Sequence, residues 1–184
     1  MKFPLSVLCL VCFVSCDVNV RNEVKVRTAV SSAQLDSLDD RQLMTAALNP
    51  VLAYVYGMNK KDKIEQLTRG QAGLYFLAKM DSQVLKSGLL SYFPSNQGRV
   101  SGGVSLAMDL SKDTGTLSVL KQAQVQYELY QMDLNSIRKD SGLVNEPMFA
   151  LFSLDSTYRV VRDETAGRYA SYIRENKYLF FDIR

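Results

Sequence analysis

Leu67-Thr68-Arg69-Gly70-Gln71-Ala72-Gly73-Leu74-Tyr75-Phe76-Leu77-Ala78-Lys79-Met80-Asp81-Ser82-Gln83-Val84-Leu85-Lys86-Ser87-Gly88 spells a whole helix with both of its ends. Thr68 and Gln71 stand at capping-box spacing, so each side chain can bond the other residue's backbone N–H. Leu74, Leu77, Ala78, Asp81, Val84 and Leu85 recur along one side, and Ser87-Gly88 is a stop signal. The same period continues in both directions. Upstream, Asp39-Asp40 suit an N-cap before Leu43, Ala47, Leu48, Val51, Leu52 and Val55, with Asn49-Pro50 marking a kink or a fresh start. Downstream, the apolar segment Leu89–Phe93 runs into a turn cluster, Pro94-Ser95-Asn96-Gln97-Gly98. Ser101 caps a helix carrying Val104, Ala107 and Met108, and Asp113-Thr114-Gly115 separates it from one carrying Leu117, Leu120, Ala123, Tyr127 and Tyr130. Residues 131–147 read as polar and irregular, and a last helix uses Leu154, Tyr158, Val161, Tyr169, Tyr172 and Ile173, with Gly167 as a possible break. The apolar end, Tyr178-Leu179-Phe180-Phe181, is expected to pack back on the bundle. With no strong hairpin or β-α-β pattern, residues 38–184 are expected to form a single compact all-α domain.

The N-terminus reads differently. Lys2 gives a short positive region, Phe3 to Val14 a hydrophobic run, and Ser15 a small residue directly before Cys16. That is the pattern of a bacterial lipoprotein signal, with residues 1–15 removed and Cys16 taking the lipid. Cys9 and Cys12 follow the large residues Leu8 and Val11, which do not suit processing, while Phe13 stands where Leu is usual. An ordinary secretory signal and a single membrane span are the alternatives, but a span needs roughly 20 apolar residues and Asp17 breaks the run. Residues 16–37 carry little to fill a core and are expected to be a lipidated tether, with at most one short strand. The expected location is the bacterial cell envelope, held to a membrane through Cys16, with the leaflet left open.

Composition removes several chemistries. The chain contains no histidine, which rules out Ser-His-Asp and Cys-His catalysis and histidine-containing zinc sites. Its three cysteines all lie within the first sixteen residues, and lipidation consumes Cys16, so the mature chain would have neither disulfide nor thiol nucleophile. The formal net charge is +3, and removing a signal that holds Lys2 lowers it by one. Such a balanced charge does not imply a nucleic-acid partner. No metal or cofactor is expected.

Several short motifs fit a structural reading better than a catalytic one. Ser118-Val119-Leu120-Lys121 and Ser136-Ile137-Arg138-Lys139 fit Ser-x-x-Lys, but the companion Ser-Asp-Asn and Lys-Thr-Gly motifs are absent. Gly103-Val104-Ser105-Leu106-Ala107 approaches a nucleophile elbow without the final Gly, and the glycines at 98, 102 and 103 have neither dinucleotide nor P-loop spacing. Asp81 falls beside an apolar helix face. It could be a carboxylate of raised pKa, but a helix cap or an arginine pair is the expected role. Most of the ten tyrosines are accounted for by core packing.

Two stretches together resemble the C-terminal domain of the bacterial DNA-mimic-protein-nineteen family, a helical domain of otherwise unknown function. The first carries Tyr75, Asp81, Val84, Gly88, the aromatic pair Tyr92-Phe93, then Asn96 and Gly98. The second carries Leu154-Asp155, Tyr158, then Tyr172-Ile173 and Asn176. Ser87-Gly88-Leu89 stands where the family commonly has Asn-Gly-Gly-Phe. The resemblance spans residues 64–180 and implies a helical fold in which most of these positions, Asp155 included, are fold-determining. Mimicry of DNA is not carried over, because it needs a strongly negative surface and this chain is slightly basic.

The expected function is therefore a non-enzymatic, membrane-tethered module that binds an envelope protein, a reading that an inhibitor or immunity protein fits. A carboxylate-dependent hydrolase using Asp81, Asp109 or Asp155, and a small-ligand or lipid carrier with an internal apolar cavity, are the competing readings. Cys16→Ser is expected to abolish palmitate labelling and to move the protein out of the membrane fraction; retained labelling would assign the lipid to another residue.

Overall fold

The computed structural model describes residues 26–56, 59–137 and 146–184, and of 133–137 only the backbone. Cys16, the signal and the first part of the expected tether lie outside the described residues. Within them the fold is all-α apart from one small sheet. Its elements are β1 (Thr28–Val30), α1 (Ser32–Asp36), α2 (Asp40–Val55), α3 (Lys60–Gln66), α4 (Arg69–Ser87), α5 (Leu89–Ser95), α6 (Gly102–Ser111), α7 (Thr114–Ile137), α8 (Glu146–Glu175) and β2 (Phe181–Ile183).

The central helix is α4. Thr68 Oγ1 accepts from the Gln71 backbone N–H at 3.3 Å, and Gln71 Oε1 accepts from the Thr68 N–H at 3.4 Å. Its buried stripe of Leu74, Leu77, Met80 and Val84 meets α2, α6 and α8. Two glycines allow that packing to be close. The Tyr169 hydroxyl on α8 donates to the Gly70 carbonyl at 2.7 Å, and a Cβ on Gly73 would stand 2.6 Å from the same hydroxyl.

Sequence order and spatial order meet at the two ends of the domain. β1 pairs in parallel with β2, with Thr28 opposite Phe181 and Val30 opposite Ile183. Gln71, fully buried, donates from Nε2 to the Val26 carbonyl at 2.7 Å and to the Leu179 carbonyl at 3.0 Å. The start of the domain, its middle and its end therefore converge on one amide. Part of the segment read as tether belongs to the fold: it supplies β1 and then α1, whose Leu35 is buried in the main core.

Helix continues through two single residues and into one polar run where the sequence suggested interruptions. α2 runs through Pro50, because Leu43, Ala47, Val51 and Val55 on both sides of it are buried on one continuous face. That burial offsets the local cost of an interior proline, about 3 kcal/mol. α8 likewise runs through Gly167, held by Thr165, Tyr169 and Ala170. α7 extends to Ile137 where irregular chain was expected, and it packs along α8 as an antiparallel hairpin, with the Thr116 and Thr165 hydroxyls 2.6 Å apart. The polar α3 was not signalled by the period; none of its residues is fully buried. Among the described residues no helix is long and apolar enough to cross a membrane.

Gln71→Leu keeps the side-chain volume but leaves two partly buried carbonyls without this donor, so a loss of about 1–3 kcal/mol is expected. Urea unfolding followed by circular dichroism checks it; a loss below 0.5 kcal/mol would mean that water replaces the amide.

Candidate functional site

Asp81 lies on the fourth turn of α4, facing α8. Arg162 grips its carboxylate with two hydrogen bonds, Nε to Oδ1 at 2.9 Å and Nη2 to Oδ2 at 2.7 Å. The Tyr158 hydroxyl adds a third, donated to Oδ1 at 3.1 Å. Tyr158 and Arg162 are one helical turn apart, so a single face of α8 presents both. Burial, reinforced by the Asp81 charge and hydrogen bond, drives the Tyr158 pKa upward, which keeps the phenol protonated as a donor. The bond from Asp81 and its charge hold Arg162 more firmly protonated still. The result is a charge-matched pair in which the Asp81 carboxylate accepts three hydrogen bonds.

This pair forms part of the wall of an open hollow of about 440 Å³ bounded by α2, α4 and α8. Met44, Leu48, Leu77 and Leu85 supply its apolar lining, and Arg41 stands on its α2 side. Its second carboxylate, Asp163, also lies against Arg162, 3.4 Å from Nη1. Leu48, Ala78 and Ser82 are shared with a second open hollow of about 790 Å³ between α2 and α4, so the two form one trough. Leu52 and the strongly exposed Tyr56 flank the second half, where Lys60, Lys79 and Lys86 also stand and no carboxylate lines the wall among the described residues. Lys60 Nζ sits 5.8 Å from the Tyr75 ring centroid. The trough is apolar along its floor and basic along one half of its edge.

The residues carrying the family resemblance do not gather into one cleft. Tyr75 and Asp81 border the trough, while Val84 is core. Gly88 and Asp155 come together at the α4–α5 junction. Gly88 has φ +76°, and Asp155 from α8 occupies the space a Cβ would take, with Oδ1 accepting from the Leu89 N–H at 2.6 Å. The acid thus caps a helix whose own N-cap residue has no side chain. Tyr92 and Phe93 are buried, Phe93 stacks on Tyr127, and the Tyr92 hydroxyl accepts from the Ser101 N–H at 3.2 Å. Asn96 Nδ2 donates to the Tyr92 carbonyl at 2.9 Å, and Gly98 turns at φ +76°. At the other end, Tyr172 packs edge-on against Phe180, Ile173 is core, and Asn176 Nδ2 ties back to the Tyr172 carbonyl at 2.9 Å where α8 ends.

Asp109 is exposed on α6, apart from the groups around Asp81 and Asp155 described above. Ser118 and Lys121 both face solvent on α7, and the Ser118 hydroxyl accepts from Gln122 at 3.3 Å. The second Ser-x-x-Lys falls in part outside the described residues. Gly103 lies against the Phe76 ring as a packing glycine. Among the described residues no group of three or more His, Cys, Asp or Glu is placed to hold a metal. Arg162 and the three lysines did not stand out in the sequence reading. The usable signals were an arginine one turn from Tyr158 on a half-buried stripe, and Lys79 and Lys86 seven residues apart on α4. Comparison with known proteins finds no match among family models, curated proteins or solved structures.

Burial raises the Asp155 carboxyl above its ordinary value of 3.8, against the lowering effects of the Leu89 N–H and Arg159. The folded state therefore holds this proton more tightly than the unfolded chain. Its stabilising contribution is complete below the unfolded value and is lost as pH rises through the folded one. Asp155→Asn removes this dependence, so its stability relative to the parent should improve between pH 3 and pH 7. Asp155→Ala, which strips both the cap and the titrating group, should lose about 1 kcal/mol at pH 3 and less at pH 7. Urea unfolding at the two pH values checks both; an Asn variant that worsens as pH rises would contradict the assignment.

Proposed function

We propose that this chain is a membrane-anchored bacterial lipoprotein whose helical domain is a non-enzymatic protein-binding module of the cell envelope, of an inhibitor or immunity kind. The observation that carries the reading is the trough across α2, α4 and α8: it is open and apolar, and both carboxylates that line it lie against Arg162. A surface with apolar walls, an aromatic edge and a charged rim suits recognition of another protein. General acid–base chemistry would need a carboxylate whose charge is not already matched, whereas Asp81 accepts three hydrogen bonds and Asp155 serves a helix end.

The location rests on the Cys16 pattern. A lipid there, followed by a short stretch of chain, would hold the domain by the pole at which β1 enters beside β2. The resemblance to the DNA-mimic-protein-nineteen domain supports a module that acts by occupying a protein surface. The slightly basic charge turns that role away from DNA-binding partners.

Crosslinking in intact cells, followed by affinity purification of the chain and of its Cys16→Ser variant, tests the proposal. One envelope protein enriched with the anchored form and lost with the variant is the expected result. Saturable turnover of an envelope polymer by the purified protein, with no crosslinked partner, would replace the binding module with an enzyme.

A further inference from the structure

We infer that the α2–α4 half of the trough seats an amphipathic helix of the partner protein, with acidic residues along one flank; this rests on the protein-binding reading above. Size, shape and charge each point to that occupant. From Tyr75 to Lys86 the trough follows α4 for about 16 Å at 1.5 Å per residue, the length of three helical turns. Its floor holds the small residues Ala78 and Ser82, one turn apart on α4, and its α2 wall holds Leu48 and Leu52. Two helices separated by a shallow apolar floor present the grooves into which a third helix packs side chains at three- and four-residue spacing.

The charge selects the partner. Lys79 and Lys86 are exposed on the same edge of α4, two turns or about 10 Å apart along the axis. Neither makes an ion pair within 4.0 Å or a side-chain hydrogen bond among the described residues. Lys60 adds a third cation beside the Tyr75 ring. A partner helix with acids seven residues apart on one flank would meet Lys79 and Lys86 together while its apolar stripe covers Leu48, Leu52 and Ala78. Complementary charge of this kind fixes register and excludes basic helices of equal hydrophobicity.

The test uses the full-length chain in non-ionic detergent micelles and two labelled peptides of about 15 residues, matching the three-turn trough with a short margin. Both carry the same leucine stripe; one has Glu and the other Lys at the two flank positions. By fluorescence anisotropy the Glu peptide is expected to bind at least about tenfold more tightly at low salt, with the difference shrinking as salt rises. Lys79→Glu/Lys86→Glu, both exposed changes, should reverse the preference without shifting thermal unfolding. Equal binding of the two peptides, or binding of neither, overturns the inference. Displacement of the Glu peptide by phosphatidylglycerol, with the same dependence on the two lysines, also overturns it and assigns the trough to an anionic lipid. If the double variant still captures the envelope partner in crosslinking, the protein-binding reading stands and its seat lies elsewhere.

Discussion

The Gln71 side chain joins parts of the domain that sequence places far apart. Its amide reaches the Val26 carbonyl 45 residues before it and the Leu179 carbonyl 108 residues after it, while its oxygen closes the capping box at the start of α4. A buried primary amide is well suited to this, since two donors and one acceptor leave from one rigid plane. In a low-dielectric interior those bonds are strong and their absence is costly. The register of the parallel strand pair and the seating of the C-terminal segment on α4 both follow from this one residue.

With its first turn fixed in that way, α4 becomes the axis about which the other helices are arranged. The glycines on its first turns let α8 approach until a tyrosine hydroxyl touches backbone, and α2 packs against both α4 and α8. Because α8 is held close at Tyr169, the same helix two and three turns earlier brings Arg162 and Tyr158 to Asp81. The trough is what remains where α2 meets α4 without a third helix above them. Its polar end is fixed by the arginine pair, and its basic end is left with cations pointing outward, so the surface has a direction along which a bound segment could be aligned.

Local chemistry was legible in the chain and tertiary chemistry was not. The capping boxes at Thr68 and the cap at Ser101 are relations among residues three apart, and both occur as the sequence implied. Gly88 as a helix stop was equally plain. Pro50, Gly167 and the polar run after Tyr130 suggested breaks because local propensity disfavours helix there, but continuous buried faces and the α7–α8 pairing override it. The periodic pattern placed Asp81 beside an apolar face, yet which arginine lies across from it depends on how two helices cross. For the trough, Leu48 and Leu52 read simply as members of a core stripe, and Lys79 and Lys86 as a solvated face. Only the crossing of α2 over α4 turns those two sets into opposite sides of one surface.

The parallel pairing of Thr28–Val30 with Phe181–Ile183 makes the order of folding depend on residues far apart in the chain. Helices such as α4 contain all their backbone partners within a few residues and can form while the chain is still emerging. The first strand has no partner until residues 181–183 have left the ribosome, and Gln71 cannot place both of its donors before Leu179 is available. Closing contacts so distant in sequence is slow relative to helix formation. A nascent or truncated chain would therefore keep an open seam along α4, exposing the apolar surface that Phe180 and Phe181 cover in the finished domain.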